Sequence, residues 1–306
     1  MGEATTKPRA HGGRPVRRSR RVWLPLGVLV LTLAGFVAAC TGHTVKRALA
    51  PEHCTARTAG GGEVDVDPSQ AEIATTIVAV AIKLGVPARA VTVALATAEQ
   101  ESKLQNLDYG DRDSVGVFQQ RPSQGWGPRE RLLDPAYASA RFYLALAKVH
   151  GWETMPIHVA AQHVQRSAYG PAYQQHEAMA EVLATALTGR AGTNGFTCLL
   201  RPRRMATTAA AVSVRVRRDW GPRAVAAAPG GVVVRLGRAA PGRHTLAMSY
   251  WLVARADSLG FKTVSRGGWQ WRARDGSRKW HAAQVADPPA QVVAQFQPKP
   301  AASSSP

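Results

Sequence analysis

Glu101 closes an unusual run. The nine residues Ala90 to Ala98 carry no charge, so a helix through them belongs in a domain interior, with the carboxyl held at its end. Burial disfavours the charged form of an acid and raises its pKa. A carboxylic acid still protonated near neutral pH can give its proton to a leaving oxygen. Ser102 follows directly. Downstream come Asp108, Asp111 and Asp113 in a loop with Tyr109, then Gly116-Val117-Phe118-Gln119, then Gln120 and Trp126. Glycine lets backbone approach a ligand closely, and glutamine offers both donor and acceptor to hydroxyls and amides. One acid among amides and a flat aromatic face suits a saccharide, whose ring has a polar rim and apolar faces. The three aspartates are candidates for a second carboxylate, a surface turn or a cation site. Their alternate spacing lacks the closing glutamate of a calcium loop, so no metal and no cofactor is expected. Glu99 reads as a structural neighbour of Glu101, and His163 and His176 lack metal-ligand spacing.

Helices must position these groups. Asp67-Pro68-Ser69 reads as a helix start with proline at the first helical position. It predicts a helix from Gln70 to Leu84, stopped by Gly85-Val86-Pro87. A second helix is expected from about Ala88 to Lys103, then loops and short strands from Asn106 to Gly127. Further helices are expected from Pro135 to Lys148, Ile157 to Ser167 and Tyr173 to Leu187. Beyond residue 198, two β-like runs, Val212 to Val216 and Val232 to Leu236, precede a helix from Leu246 to Leu259. Lys262 to Arg266 and Trp269 to Arg272 then read as a hairpin about Gly267-Gly268. The expected fold class is α+β. A linker over 41–66 leads into a mostly helical domain over 67–198 with a small β insertion. A small basic α/β module over 199–286 and a disordered tail over 287–306 follow.

Glu101-Ser102 resembles the catalytic Glu-Ser motif of the lytic transglycosylase and goose-type lysozyme families. Gly116-Val117-Phe118-Gln119 resembles their Gly-Leu-Met-Gln motif at a compatible distance. The stretch from Gln100 to Gly127 is also similar to an actinobacterial family of membrane-tethered extracellular proteins. The likeness covers about residues 54–198. It implies a lysozyme-like fold there and cleavage of the β-1,4 bond between N-acetylmuramic acid and N-acetylglucosamine in peptidoglycan, with Glu101 as the acid. Ser102, Gly116, Phe118, Gln119 and Gln120 would then bind the substrate. In a transglycosylase Glu101 would next take the proton of the muramoyl 6-hydroxyl, leaving a 1,6-anhydro product. A hydrolase needs a second carboxylate. Those families carry a Tyr-Asn pair on a later helix. Here the comparable region is Ala160-Ala161-Gln162-His163-Val164-Gln165, with Tyr169 and Tyr173 further on. Gln162 or Gln165, with Tyr169, would line the cleft instead. That departure keeps open a second reading, a catalytically inactive wall-binding or scaffolding protein.

With 45% hydrophobic and 19% charged residues among 306, wholesale disorder is excluded. One long apolar run excludes a polytopic membrane protein such as a transporter. The formal net charge is +19, unevenly spread: residues 51–198 hold twelve Lys/Arg against fifteen Asp/Glu, and both flanks are strongly basic. Arg14, Arg17, Arg18, Arg20 and Arg21 precede eighteen uncharged residues, Val22 to Ala39. That is the order of a signal or a single span, so residues 1–40 are expected to anchor the chain on the extracytoplasmic face of the cell membrane. Val37-Ala38-Ala39-Cys40 resembles a bacterial lipobox, making Cys40 a lipidation candidate; an uncleaved helix is the alternative. Cys54 and Cys198 flank the helical domain, and a disulfide between them would tie its ends together in an oxidising compartment. The expected partners are peptidoglycan, the membrane through the N-terminal anchor, and anionic wall polymers through the C-terminal module. The last would use Trp269, Trp271 and Trp280, interleaved with Arg272, Arg274, Arg278 and Lys279. No nucleic acid is expected of an exported protein.

Overall fold

Local capping chemistry sets the helix limits. The computed structural model describes Gly2 and residues 51–166, 170–201, 207–237, 242–275, 277 and 279–297. The expected N-terminal anchor with Cys40, and Tyr169, lie outside them. Among the described residues no helix is long and apolar enough to cross a membrane. Helix α1, Pro68–Leu84, starts on Pro68, and the Gln70 side chain accepts the Asp67 N–H at 2.8 Å. Gly85 ends it in left-handed backbone at φ 71°, a conformation that costs glycine nothing. Helix α2, Ala88–Ser102, buries Ala90, Val91 and Val93 to Ala98. The hydroxyl of buried Thr97 donates to the Val93 carbonyl at 2.8 Å, so the one polar side chain in that stretch is satisfied inside the helix.

Helices α3 (Arg129–Leu132), α4 (Pro135–Leu146), α5 (Ile157–Gln165) and α6 (Glu177–Leu187) follow, with a 3₁₀ segment over Gly170–His176. Asp134 caps α4 by accepting the Ala136 N–H at 3.0 Å. Helix α2 packs against α1, α4, α5 and α6, which explains why its middle, Ala90 to Ala98, carries no charge on any face.

Strands enclose this helical part. Strands β1 (His53–Arg57), β2 (Glu63–Val66) and β3 (Phe196–Leu199) form an antiparallel sheet in the order β2-β1-β3. The expected linker over 41–66 is therefore corrected across its second half. Glu63-Val64-Asp65-Val66 alternates charged and apolar residues at the strand period, and Val66 is buried. Cys54 and Cys198 stand opposite each other on β1 and β3 and form a disulfide across 144 residues of sequence. Closing so long a loop restricts the unfolded chain. Replacing both cysteines with serine is expected to lower stability by about 4–5 kcal/mol in urea unfolding, against no change in the folded spectrum.

The remainder comprises α7 (Ala209–Trp220), β4 (Ala224–Ala228), β5 (Gly231–Arg235), α8 (Gly242–Ala254), α9 (Ala256–Leu259), β6 (Phe261–Arg266), β7 (Trp269–Arg272), β8 (His281–Ala282) and β9 (Gln291–Phe296). Its six strands form one antiparallel sheet, β4-β5-β9-β6-β7-β8. Three expectations change here. Val212 to Val216 is helical: Val212 and Val216, four apart, are buried while Val214 is 69% exposed, which is the helical period. The tail expected to be disordered from 287 contains β9, paired on both sides, with Val292 and Ala294 buried. Residues 199–286 do not form a separate module, because the chain from Pro51 onward is one compact unit with a continuous apolar core.

Buried polar contacts join the two halves. Arg255, 1% exposed, donates to Asp219 Oδ2 at 3.2 Å, to Thr75 Oγ1 at 2.9 Å, to the Glu72 carbonyl at 3.0 Å and to the Thr76 hydroxyl. Asp219 also accepts from Trp251 Nε1 at 2.8 Å and Arg218 Nε at 2.6 Å. Burial alone would raise the Asp219 pKa, but Arg255 and Arg218 outweigh it and hold the carboxyl below its usual value. The tryptophans expected to face a polymer are also corrected. Trp271 and Trp280 are buried, their indoles donating to the carbonyls of Cys198 and Phe196 on β3 at 3.0 and 2.9 Å, and only Trp269 stays at the surface.

Candidate active site

Lys103 and Leu104 follow α2 in left-handed backbone, at φ 56° and 53°, so the helix stops sharply just past Glu101. The next landmark is a tight turn. Val115 and Gln120 exchange backbone hydrogen bonds, both 3.1 Å, and close Gly116 to Gln119 between them. This single bridge is what the small β insertion expected after α2 amounts to. Gly116 has φ 78°, and a Cβ there would stand 2.4 Å from the Leu132 carbonyl oxygen, so only glycine fits.

Most of the motif residues build the wall from behind. The Ser102 hydroxyl is buried, reaching the Val117 carbonyl at 2.8 Å and the Ala98 carbonyl at 3.0 Å while accepting the Gln105 N–H at 3.2 Å. It pins the turn to the end of α2. Phe118 is fully buried and stacks on Phe142 at 4.7 Å. Gln120 is buried and donates to the Ala138 carbonyl at 3.2 Å. Ser102, Gly116, Phe118 and Gln120 are thus corrected from substrate contacts to supports of the turn. Gln119, at φ 46°, does line the cleft, with its amide held on the Tyr109 and Gly116 carbonyls, both at 3.2 Å.

The cleft has a volume of about 260 Å³. Glu101, Gln119 and Gln165 line it together with Asp111, Ser114, Arg121, Gln124 and Trp126. Glu101 is half-buried. Tyr173, itself 1% exposed, donates its hydroxyl to Glu101 Oε1 at 2.6 Å, and Gln165 supplies a second side-chain hydrogen bond. Gln165 Nε2 also donates to the Phe118 carbonyl at 2.7 Å, tying the acid to the turn. Burial raises the Glu101 pKa; the bonds from Tyr173 and Gln165 favour the carboxylate and pull it part of the way back, leaving it above the ordinary value. An acid balanced in this way can exist in either protonation state with its Oε1 still hydrogen-bonded.

Of the two glutamines expected on the later helix, Gln165 reaches the cleft. Gln162, on the same helix, is half-buried and does not line it. Tyr173 carries no motif that marks it; it meets Glu101 across 72 residues of sequence. Among the aspartates, Asp113 is committed to Arg121 Nε at 2.7 Å and to the Ser123 N–H at 2.8 Å, which hold its carboxyl well below the usual range. Asp108 is exposed outside the cleft, with its backbone carbonyl accepting from Arg129. Asp111 alone of the three lines the cleft, its side chain 90% exposed. Glu99 lies 3.8 Å from Lys103 Nζ and does not line the cleft. Elsewhere Asp275, Ser277 and His281 meet, but aspartate and serine both reach the same imidazole nitrogen, Nε2, so no proton relay forms. Among the described residues no group of three or more His, Cys, Asp or Glu could hold a metal ion.

Tyr173→Phe removes a hydrogen bond that favours the charged form, so the Glu101 pKa should rise further. For a step that needs the protonated acid, the alkaline limb of the pH–rate profile should move to higher pH. An unmoved limb would show that Tyr173 does not tune the acid.

No family model matches the chain, and no curated protein compared with it matches either.

Proposed function

We propose that the helical part of this chain is lysozyme-like and that the protein is a peptidoglycan lytic transglycosylase, anchored by its N-terminal segment on the extracytoplasmic face of the membrane. One observation carries the reading. A glutamate with a raised pKa sits in a cleft whose other lining is three amides, a hydroxyl, the half-buried indole of Trp126, Arg121 and the solvated Asp111. The disulfide supports an oxidising compartment. The solvated state of Asp111 favours a one-acid mechanism, since a carboxylate in bulk water stabilises an oxocarbenium ion weakly.

Glu101 gives its proton to the glycosidic oxygen as the bond from C1 of N-acetylmuramic acid to that oxygen breaks. The carboxylate left behind is held by Tyr173 and Gln165. The 6-hydroxyl of the same sugar then closes on C1, and its proton returns to Glu101 as the new O6–C1 bond forms. The acid is restored, the product is a 1,6-anhydro sugar, and no water is consumed.

Incubating the full-length protein with purified sacculi and weighing the released fragments by mass spectrometry tests this. Fragments ending in anhydro-muramic acid are expected. Reducing ends would replace the transglycosylase with a muramidase, and binding without release would leave a wall-binding scaffold.

A further inference from the structure

A second cavity, of about 350 Å³, adjoins the one that holds Glu101. The two share Gln124, Trp126 and Gln165, so they form one groove with the indole at its middle. The character of the groove changes at that point. The first half carries Glu101 and Asp111 with Arg121. The second half carries Arg141, Lys148, His163 and Arg166, and no acidic side chain lines it. Residues 51–198 hold more acids than bases, so an acid-free basic wall here is not a by-product of composition.

Arg141 is fixed in place. Its Nε donates to the Trp126 carbonyl at 2.9 Å and its Nη2 to the Gly125 carbonyl at 3.1 Å, which holds the guanidinium against the backbone of Gly125 and Trp126. Lys148, His163 and Arg166 are exposed, and among the described residues none is ion-paired with a carboxylate. Three permanent cations and an imidazole around a concave space make a receptor for an anion, and a guanidinium matches a carboxylate in a two-point bond. A neutral sugar has no use for such a wall.

We propose that this wall binds a carboxylate carried as a substituent on the sugar chain that lies across Glu101. The inference rests on the cleft being a glycan site and adds to it the class of glycan preferred. Two sources share that chemistry: the lactyl carboxylate of the sugar itself, and the carboxylates of a peptide attached to it.

The test uses the full-length protein carrying Glu101→Gln, so that bound glycan is not consumed. Its affinity is measured for three probes: a neutral β-1,4 N-acetylglucosamine oligomer, amidase-stripped glycan strands that retain only the lactyl carboxylate, and glycan strands bearing peptides. Each is repeated with Lys148→Ala and Arg166→Ala added together. The expected result is binding to a carboxylate-bearing probe tighter than to the neutral oligomer by about tenfold, falling to the neutral level in the added variant and in high salt. A gain for the stripped strands alone assigns the lactyl group, which an attached peptide caps as an amide. A gain for the peptide-bearing strands alone assigns the peptide, and a gain for both shows that the wall takes a carboxylate from either source. Equal affinity for all three probes, or an added variant that weakens the neutral oligomer as much as the charged ones, overturns the proposal and leaves the catalytic reading standing. Failure to bind any probe removes the glycan site itself, and the proposal with it.

Discussion

Glu101→Gln should reduce glycan cleavage by about 10²–10⁴-fold while the protein keeps its fold and its glycan affinity. That range is what a positioned general acid contributes, and the amide cannot donate a proton of comparable acidity. The shape of the side chain survives, so the Tyr173 hydroxyl at 2.6 Å keeps an acceptor. Stability supplies an independent check. Glu101 has a folded-state pKa above its unfolded value, because desolvation dominates. Relative to a side chain that does not titrate, the wild type is therefore most stable below the unfolded carboxylate pKa and loses stability as the pH rises through the folded one. The variant should match the wild type in acid and exceed it near neutral pH. Unfolding curves at pH 4 and pH 7 read this directly. A variant that is active, or that is less stable at pH 7 by the same margin as at pH 4, would show that Glu101 is a surface carboxylate.

The second large effect is structural. Asp219→Ala should lower stability by about 3–5 kcal/mol, because it leaves the guanidinium of Arg255 buried without its counter-charge. Replacing both residues together, Asp219→Leu with Arg255→Met, should restore most of that loss, since an apolar pair has no charge to desolvate. Arg255 reaches Thr75, Thr76 and the Glu72 carbonyl on α1, so the damage should cross from the C-terminal sheet into the helical part. Urea unfolding followed by tryptophan fluorescence should give one transition. Two separate transitions, with the helical part unaffected, would restore the separate module that the composition had suggested.

That module shows where reading the sequence stops. The helices around the acid were legible because their limits are local: Asp67-Pro68, Gly85 and Asp134-Pro135 act on their immediate neighbours. The central helix was legible because no other element can be apolar on every face. Two acids, Glu99 and Glu101, end that run, and the likeness of Glu101-Ser102 to a catalytic Glu-Ser motif singled out the second. The residues that tune it were legible only in part. Gln165 was one of two glutamines expected at the cleft, though nothing marked it as a neighbour of the acid, and Tyr173 arrives from 72 positions downstream with no motif to point to it. Ser102, Phe118 and Gln120 were misread for a related reason: a motif names positions, and their side chains turn inward from them. Val212, Val214 and Val216 satisfied the strand period as readily as the helical one, and burial of the first and third decided it. Gln291 to Phe296 lay in a Pro- and Gln-rich stretch whose composition masked an alternating strand that β5 and β6 needed between them.

The most direct measurement is the titration of the Glu101 carboxyl by carbon NMR, assigned by its absence from the Glu101→Gln spectrum and followed with and without glycan. A midpoint above that of the exposed glutamates, rising again when glycan displaces water from the cleft, is the expected result. A midpoint among the exposed glutamates, unmoved by glycan, would contradict the assignment of this residue as a general acid.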